Sequence, residues 1–390
     1  MKKLTKQSTF YRRLFNFFSI KMHKNAISKI KIRKRGEERM EGSLILANGE
    51  KFTGQWQGKP KDHIGELIYF TGMARFQEFI TDPANKGKIV ISTFPGVLNS
   101  NLDHSKFESD QIQIGGLITQ QDASMPIDVK GINVLDLFFE QNIPVLTGMD
   151  TRALIKRVKK EGEMPAIISS KHAVNRLSAH MEDIYADSGT EHITPNGNKH
   201  IVIINFGYKK SLIQSLCQSG HKVTAVSGRI DISSVHSLKP DGIIFSGGPG
   251  NPLEWQKFFP DYKKLAMKYP TMGLGLGHQI LALAFGANIE KMPAGHRNFK
   301  EAVIHTGSQK VFMSNQNHGY TVNEKDLKQH GFLVTFKNIH DGTVEGLVHE
   351  QYLVVTYQFH PEQIHNPLNE LIFDHFFKTV NESKGASVYA

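Results

Sequence analysis

Two segments of this 390-residue chain hold residue types that could act together. The first is Thr271-Met272-Gly273-Leu274-Gly275-Leu276-Gly277-His278-Gln279. An apolar strand run enters a glycine-dense turn and leaves as a helix. A strand-to-helix elbow of this kind lifts residue 275 out of the sheet toward a cleft. The next backbone N–H, that of Leu276, then faces a developing oxyanion. The second segment reads Gln358-Phe359-His360-Pro361-Glu362, with His360 lying 85 residues beyond Gly275. A carboxylate near an imidazole orients the ring and supports its charged form, which gives a general base and its orienting partner. Each segment also has a plain reading, a tight turn for the first and a surface pair for the second.

Two further loops carry polar or backbone chemistry. Ser246-Gly247-Gly248-Pro249-Gly250-Asn251-Pro252 follows a strand run, and its glycines let backbone amides face a ligand. Read plainly, it is only a connecting loop. Asn315-Gln316-Asn317-His318-Gly319-Tyr320 can hold an amide through side chains and backbone. Of the other reactive groups, Ser246 is expected to shape its loop and His278 to pack or cap. Cys217 shares an apolar helical stripe with Leu212 and Leu216, so a core thiol is expected there.

The elements that must position these groups follow from periodicity. Strand runs at His200–Asn205, 222–226, Gly242–Phe245 and Thr271–Leu274 alternate with helical segments at 209–219 and 279–285. A further strand-like run covers 353–359. Alternating strands and helices specify a parallel sheet covered on both faces, an α/β fold with ligands at the carboxyl ends of the strands. Residues 186–199 are polar and rich in breakers, and read as a linker. Upstream, strand runs at 43–47 and 51–54 flank an Asn48-Gly49 turn. An apolar run follows at 88–93, and then a basic helix, Thr151–Glu161, with Asp150 at its N-cap. The expected organisation is a basic extension (1–39), a mixed α/β N-terminal domain (40–185), the linker (186–199) and a doubly wound C-terminal domain (200–385).

Composition narrows the function classes. The net charge of +10 resides in the extension: residues 1–36 hold 12 Lys or Arg and no acid, and the remainder holds 35 basic against 37 acidic residues. The folded part therefore shows no nucleic-acid signature. The extension itself reads as an overextended gene start with Met40 as the beginning, as a targeting segment, or as a tail for anionic surfaces. A single cysteine excludes an internal disulfide and suits a reducing compartment. No apolar run reaches the roughly 18–20 residues of a membrane span. A cytoplasmic location is expected, or an organellar one if the extension is a transit peptide.

Order and spacing of the four loops together resemble the class I glutamine amidotransferases, whose pattern is Gly-x-Cys-x-Gly-x-Gln followed by His-Pro-Glu. The N-terminal part narrows the likeness. Gly65-Glu66, Phe70-Thr71-Gly72-Met73-Ala74-Arg75-Phe76-Gln77-Glu78, Thr81-Asp82-Pro83, Asp150-Thr151-Arg152-Ala153-Leu154 and Asn205-Phe206-Gly207-Tyr208-Lys209 are similar to the small subunits of carbamoyl-phosphate synthases. The similarity runs from about 40 to 385. It implies a C-terminal class I amidotransferase domain and a subunit that hydrolyses glutamine and passes ammonia to a large subunit for carbamoyl phosphate synthesis, serving arginine and pyrimidine biosynthesis. By the same resemblance His360 is the base and Glu362 its orienter. Gly248 and Leu276 supply oxyanion amides, and Gly72, Gly250, Gln279, Asn317, Gly319 and Tyr320 contact glutamine. ATP and Mg are expected on the large subunit, with no cofactor or metal in this chain. The expected partners are that large subunit and glutamine, with no nucleic acid and no membrane.

The chain departs from the family pattern at the decisive position. Gly275 stands where the nucleophilic cysteine belongs, and glycine cannot form a thioester. Ala74-Arg75 replaces the usual Thr-Gly, Asn298 replaces a glycine after Gly295-His296-Arg297, the loop at 95–101 loses two glycines, and Gln363 follows His-Pro-Glu. The leading expectation is a small subunit that binds its large partner and hydrolyses glutamine poorly or not at all. The alternatives are a working glutaminase by a route not visible in the residues, an altered codon at 275, or a separate glutamine- or amide-binding module.

Overall fold

The computed structural model describes residues 40–94, 96–121, 132–170, 190–194, 196–362 and 367–383. The basic extension, Pro95, positions 186–189 of the expected linker and Gln363 lie outside the described residues. Met40–Ala390 form one compact unit. No helix among the described residues is long and apolar enough to cross a membrane.

The N-terminal part closes into a seven-stranded barrel. Its strands follow the order Glu41–Leu46, Lys51–Gln57, Val145–Thr147, Gly116–Ile118, Ile89–Ser92, His63–Phe70 and Met164–Ser169, which pairs back onto the first. Closure leaves no unpaired edge. The run Ile89–Ser92 is buried along its whole length, which explains its lack of alternation. The helix Thr151–Glu161 begins where expected. The Asp150 carboxylate accepts the N–H groups of Arg152 and Ala153, and Thr151, Leu154 and Val158 form the buried face.

The C-terminal sheet has ten strands. At its centre, Lys222–Ser227, His200–Asn205, Gly242–Phe245, Thr271–Leu274 and Val354–Tyr357 lie side by side and parallel. The strand His200–Asn205 shows why both faces are covered. Ile201 and Ile203 join the core under the helices Lys210–Gln218 and Pro367–Glu382, while Val202 and Ile204 join the core under Phe259–Lys268 and Leu276–Phe285.

Two expectations are corrected here. The sheet is not parallel throughout. Val344–His349, Phe332–Asn338, Glu301–His305 and Val311–Ser314 continue it as an antiparallel wing. Part of the expected linker is also sheet: Thr190–Thr194 pairs antiparallel with Lys222–Ser227 as an exposed edge strand. Its polar residues face solvent, so composition alone could not separate this edge from a linker. A separate two-stranded ribbon, Ile289–His296 with His318–Val322, carries the Asn315–Tyr320 loop.

Candidate active site

The elements converge at the carboxyl ends of the parallel strands. The strand Thr271–Leu274 is buried, Gly275 turns the chain with φ 53° and ψ −111°, and the helix Leu276–Phe285 follows. Few residues other than glycine adopt that conformation. Gly277 is required for a different reason: a Cβ there would collide with the carbonyl of Phe245, and its N–H donates to the Ser246 carbonyl at 3.0 Å. As the first helical residue, Leu276 has no intrahelical acceptor for its own N–H, which suits an oxyanion.

His360 faces this turn. A Cβ built on Gly275 would stand 3.3 Å from His360 Nε2, 2.9 Å from its Cε1 and 3.5 Å from the Cα of Gly247. A side chain at position 275 would thus be aimed at His360 and bordered by the glycine loop. His360 Nδ1–H donates to Glu362 Oε1 at 2.8 Å, so its Nε2 is the nitrogen left for chemistry. Both side chains are buried. Burial alone would raise the Glu362 carboxyl, but His360 and Lys209 outweigh it and hold the group below its ordinary range.

Around this pair a cavity of about 240 Å³ opens between the barrel and the sheet domain. Gly248, Gly250, Gly275, Leu276, Gln279 and His360 line one side, and Asn317, Gly319 and Tyr320 close another. Glu362 lies behind His360 rather than in the wall. Gly72 is not among the residues lining this cavity. Its loop turns outward, with Met73 78% exposed, and the Phe70 ring occupies the space where a Gly72 Cβ would be. Asn317 does line the cavity, but its side chain is committed to protein. Its amide donates to Asp82 at 2.9 Å and Asn85 at 3.2 Å, and its oxygen accepts from Arg297 at 2.9 Å. A ligand there meets its backbone.

The other reactive groups do not replace the missing side chain. Ser246 Oγ accepts from the Phe206 N–H and donates to the Gly247 carbonyl, so it shapes the loop as expected. His278 is buried against Thr356 Oγ1 at 2.7 Å, and burial pushes its imidazole down to about 3. Cys217 is half-buried rather than part of the core; burial raises its thiol, and it lies outside the cavity wall.

Sequence reasoning missed the barrel's contribution. Asp82 Oδ2 pairs with Lys209 Nζ at 3.0 Å, with both side chains buried, and Lys209 in turn helps hold Glu362 charged. Glu163 clasps Arg297 through two bonds, Nε to Oε1 at 2.8 Å and Nη2 to Oε2 at 2.6 Å. Lys88 also faces the cavity. Desolvation, with repulsion from Arg297, pushes its ammonium down to about 8. The motifs containing Asp82, Lys209 and Arg297 were visible, but their pairing was not.

Stability should respond to acid through this network. Burial alone would raise the Asp82 carboxyl, yet Lys209 and His360 hold it below its ordinary 3.8, and Glu362 is held below its ordinary 4.5. Groups depressed in the folded state contribute stability that is complete above those ordinary values. That stability is lost as pH falls through the depressed ones. Urea titrations over a pH series should therefore show this contribution declining only below about pH 4.5, and substituting Asp82 by Asn should flatten the decline.

A five-stranded parallel sheet with a glycine elbow facing an imidazole–carboxylate pair defines the class I glutamine amidotransferase domain. The family described as "Glutamine amidotransferase class-I" matches residues 202–380, and "Carbamoyl-phosphate synthase small chain, CPSase domain" matches residues 44–168. Among similar proteins, the carbamoyl phosphate synthase arginine-specific small chain of Halalkalibacterium halodurans is 38% identical over 362 residues, spanning 90% of this chain and 100% of that protein. The arginine-specific small chain of Bacillus subtilis is 37% identical, spanning 87% of this chain and 97% of that protein. The small chain of Listeria monocytogenes is 32% identical, spanning 89% and 99%. The chain belongs to the carbamoyl-phosphate synthase small-chain family.

Proposed function

We propose that this chain is the amidotransferase subunit of a carbamoyl-phosphate synthase whose own glutamine hydrolysis is disabled at Gly275. The carrying observation is the apposition of Gly275 to His360 Nε2 within an otherwise complete arrangement. In the family reaction a thiolate attacks the carboxamide carbon, ammonia leaves, and water releases glutamate from the thioester. His360 is placed to take the thiol proton and return it to the leaving amine, and the Leu276 and Gly248 amides to hold the oxyanion. Here there is no side-chain atom to form the bond.

The remaining function of the subunit is to bind a large subunit, which carries ATP and Mg, and to hold the assembly competent for free ammonia. The names of the two most similar relatives given above favour the arginine branch. The test is to purify the chain with its large subunit and supply glutamine or ammonium salts as the nitrogen source. Carbamoyl phosphate should form with ammonium and not with glutamine. Ordinary rates with glutamine would reject the disabled-site reading, and failure to form a complex would reject the subunit assignment.

A further inference from the structure

Beside the glutamine pocket, three side chains converge from separate strands. His296 ends one strand of the ribbon, His318 begins the other, and Glu345 lies in the sheet strand Val344–His349. Their donor atoms all lie within 4.8 Å of one another. His296 Nδ1 and His318 Nε2 stand 3.6 and 3.7 Å from the same carboxylate oxygen, Glu345 Oε1.

The hydrogen bonds on the far side of each group fix what these atoms present. His318 Nδ1 lies 2.8 Å from the Tyr320 carbonyl, which can only accept, so that nitrogen carries the proton. In the neutral ring Nε2 then offers a lone pair; it is buried and has no hydrogen-bond partner. His296 Nε2 donates to Asp341 Oδ2 at 2.9 Å, and its Nδ1 turns toward Glu345. Burial alone would lower this imidazole, but Glu345, Glu301 and Asp341 raise it to about 9, so without an ion Nδ1 carries a proton that a metal ion would displace. Besides Glu345, that nitrogen has a long 3.5 Å approach from the Asn338 amide, which has a shorter acceptor in Glu301, and it lies 3.9 Å from Glu301 Oε2. Glu345 Oε2 accepts from Gln316 Nε2 at 2.8 Å, and Oε1 has a 3.3 Å contact from Thr343 Oγ1.

The positive charge beside the Glu345 carboxylate is the His296 proton, or a metal cation that takes its place and also uses the lone pair of His318 Nε2. Donors bound at about 2.0–2.2 Å to a tetrahedral ion stand about 3.4 Å apart, so the two histidine–Glu345 distances need close by only a few tenths of an ångström, while the widest separation in the group, within 4.8 Å, must close by more. Each imidazole is already oriented through its other nitrogen by a carbonyl or a carboxylate, as metal-binding histidines are. We propose that His296, His318 and Glu345 bind one divalent transition ion of the Zn²⁺ class, which pins the ribbon and its Asn317–Tyr320 pocket wall to the sheet. Two nitrogens and one carboxylate suit zinc rather than Ca²⁺ or Mg²⁺.

The experiment uses the full chain with its large subunit, stripped with chelator. Zn²⁺ is titrated by calorimetry, and Co²⁺ by its visible absorption. One ion per chain is expected, with tetrahedral Co²⁺ bands and a melting temperature that rises with free Zn²⁺. Glu345→Gln should abolish the bands. Asp341→Asn, at a half-exposed orienting residue, should weaken binding by about 10–100-fold. Cys217→Ser should leave binding unchanged. Substoichiometric uptake, or binding that Glu345→Gln and Asp341→Asn leave untouched while the variants remain folded, would overturn the site and leave a proton as the charge that holds the cluster together.

Discussion

Gly275→Cys should convert the chain from one that no glutamine-directed affinity label modifies into one that forms a covalent adduct at residue 275. The receiving geometry is present. The new Cβ would emerge 3.3 Å from His360 Nε2, and Glu362 already holds the ring by its other nitrogen. Loss of a covalent nucleophile typically costs on the order of 10⁴–10⁶-fold in turnover, so the gain in glutamine hydrolysis should be of that scale where the pocket still binds its substrate. Stability should move the other way. The backbone at 275 has φ 53°, and the added carbon meets His360 Cε1 at 2.9 Å, so the ring must shift by a few tenths of an ångström. Holding a non-glycine residue in such a conformation costs about 1–3 kcal/mol. A paired measurement of labelling by mass spectrometry and of thermal unfolding checks both halves. A stable cysteine variant that takes no label would mean that the pocket, and not only its nucleophile, has decayed.

Glu163→Gln should be the most destabilising single change at the junction of the two domains, and the reason is the partner it leaves behind. The Glu163 and Arg297 side chains are 1% and 3% exposed, and the guanidinium is held by both carboxylate oxygens. Removing one partner of such a pair leaves a buried charge uncompensated, at a cost of about 3–5 kcal/mol. The pair also lies against the pocket. A Cβ on Gly319 would touch Glu163 Oε2 at 3.1 Å, and Arg297 Nη1 donates to Asn317. Any ligand affinity of the pocket should therefore fall together with stability. Denaturant unfolding of Glu163→Gln, Arg297→Gln and the double variant decides the matter. The double variant should lose clearly less than the sum of the two single losses. Strict additivity would mean that the two groups do not depend on each other.

The legible parts of this molecule are those set by neighbours in the chain. The strands His200–Asn205, Gly242–Phe245 and Thr271–Leu274 were readable because buried strands are short apolar runs bounded by breakers. The helix Thr151–Glu161 was readable because a carboxylate at Asp150 satisfies N–H groups two and three residues away. The antiparallel wing and the edge strand Thr190–Thr194 were less legible, since a strand open to solvent can be as polar as a linker.

What the sequence determined by itself is the elbow with glycine at 275 and the His360–Glu362 pair, because both are built from contacts a few residues long. What only the tertiary structure decided is the company these groups keep. The Glu163–Arg297 clasp joins residues 134 positions apart, and Asp82 reaches Lys209 from the barrel to the sheet domain. His296, His318 and Glu345 meet from three strands. Such meetings depend on how a closed barrel and a twisted sheet pack together, and no local periodicity encodes that. A buried charge must find its partner wherever packing brings one, and here packing brings it from the other domain.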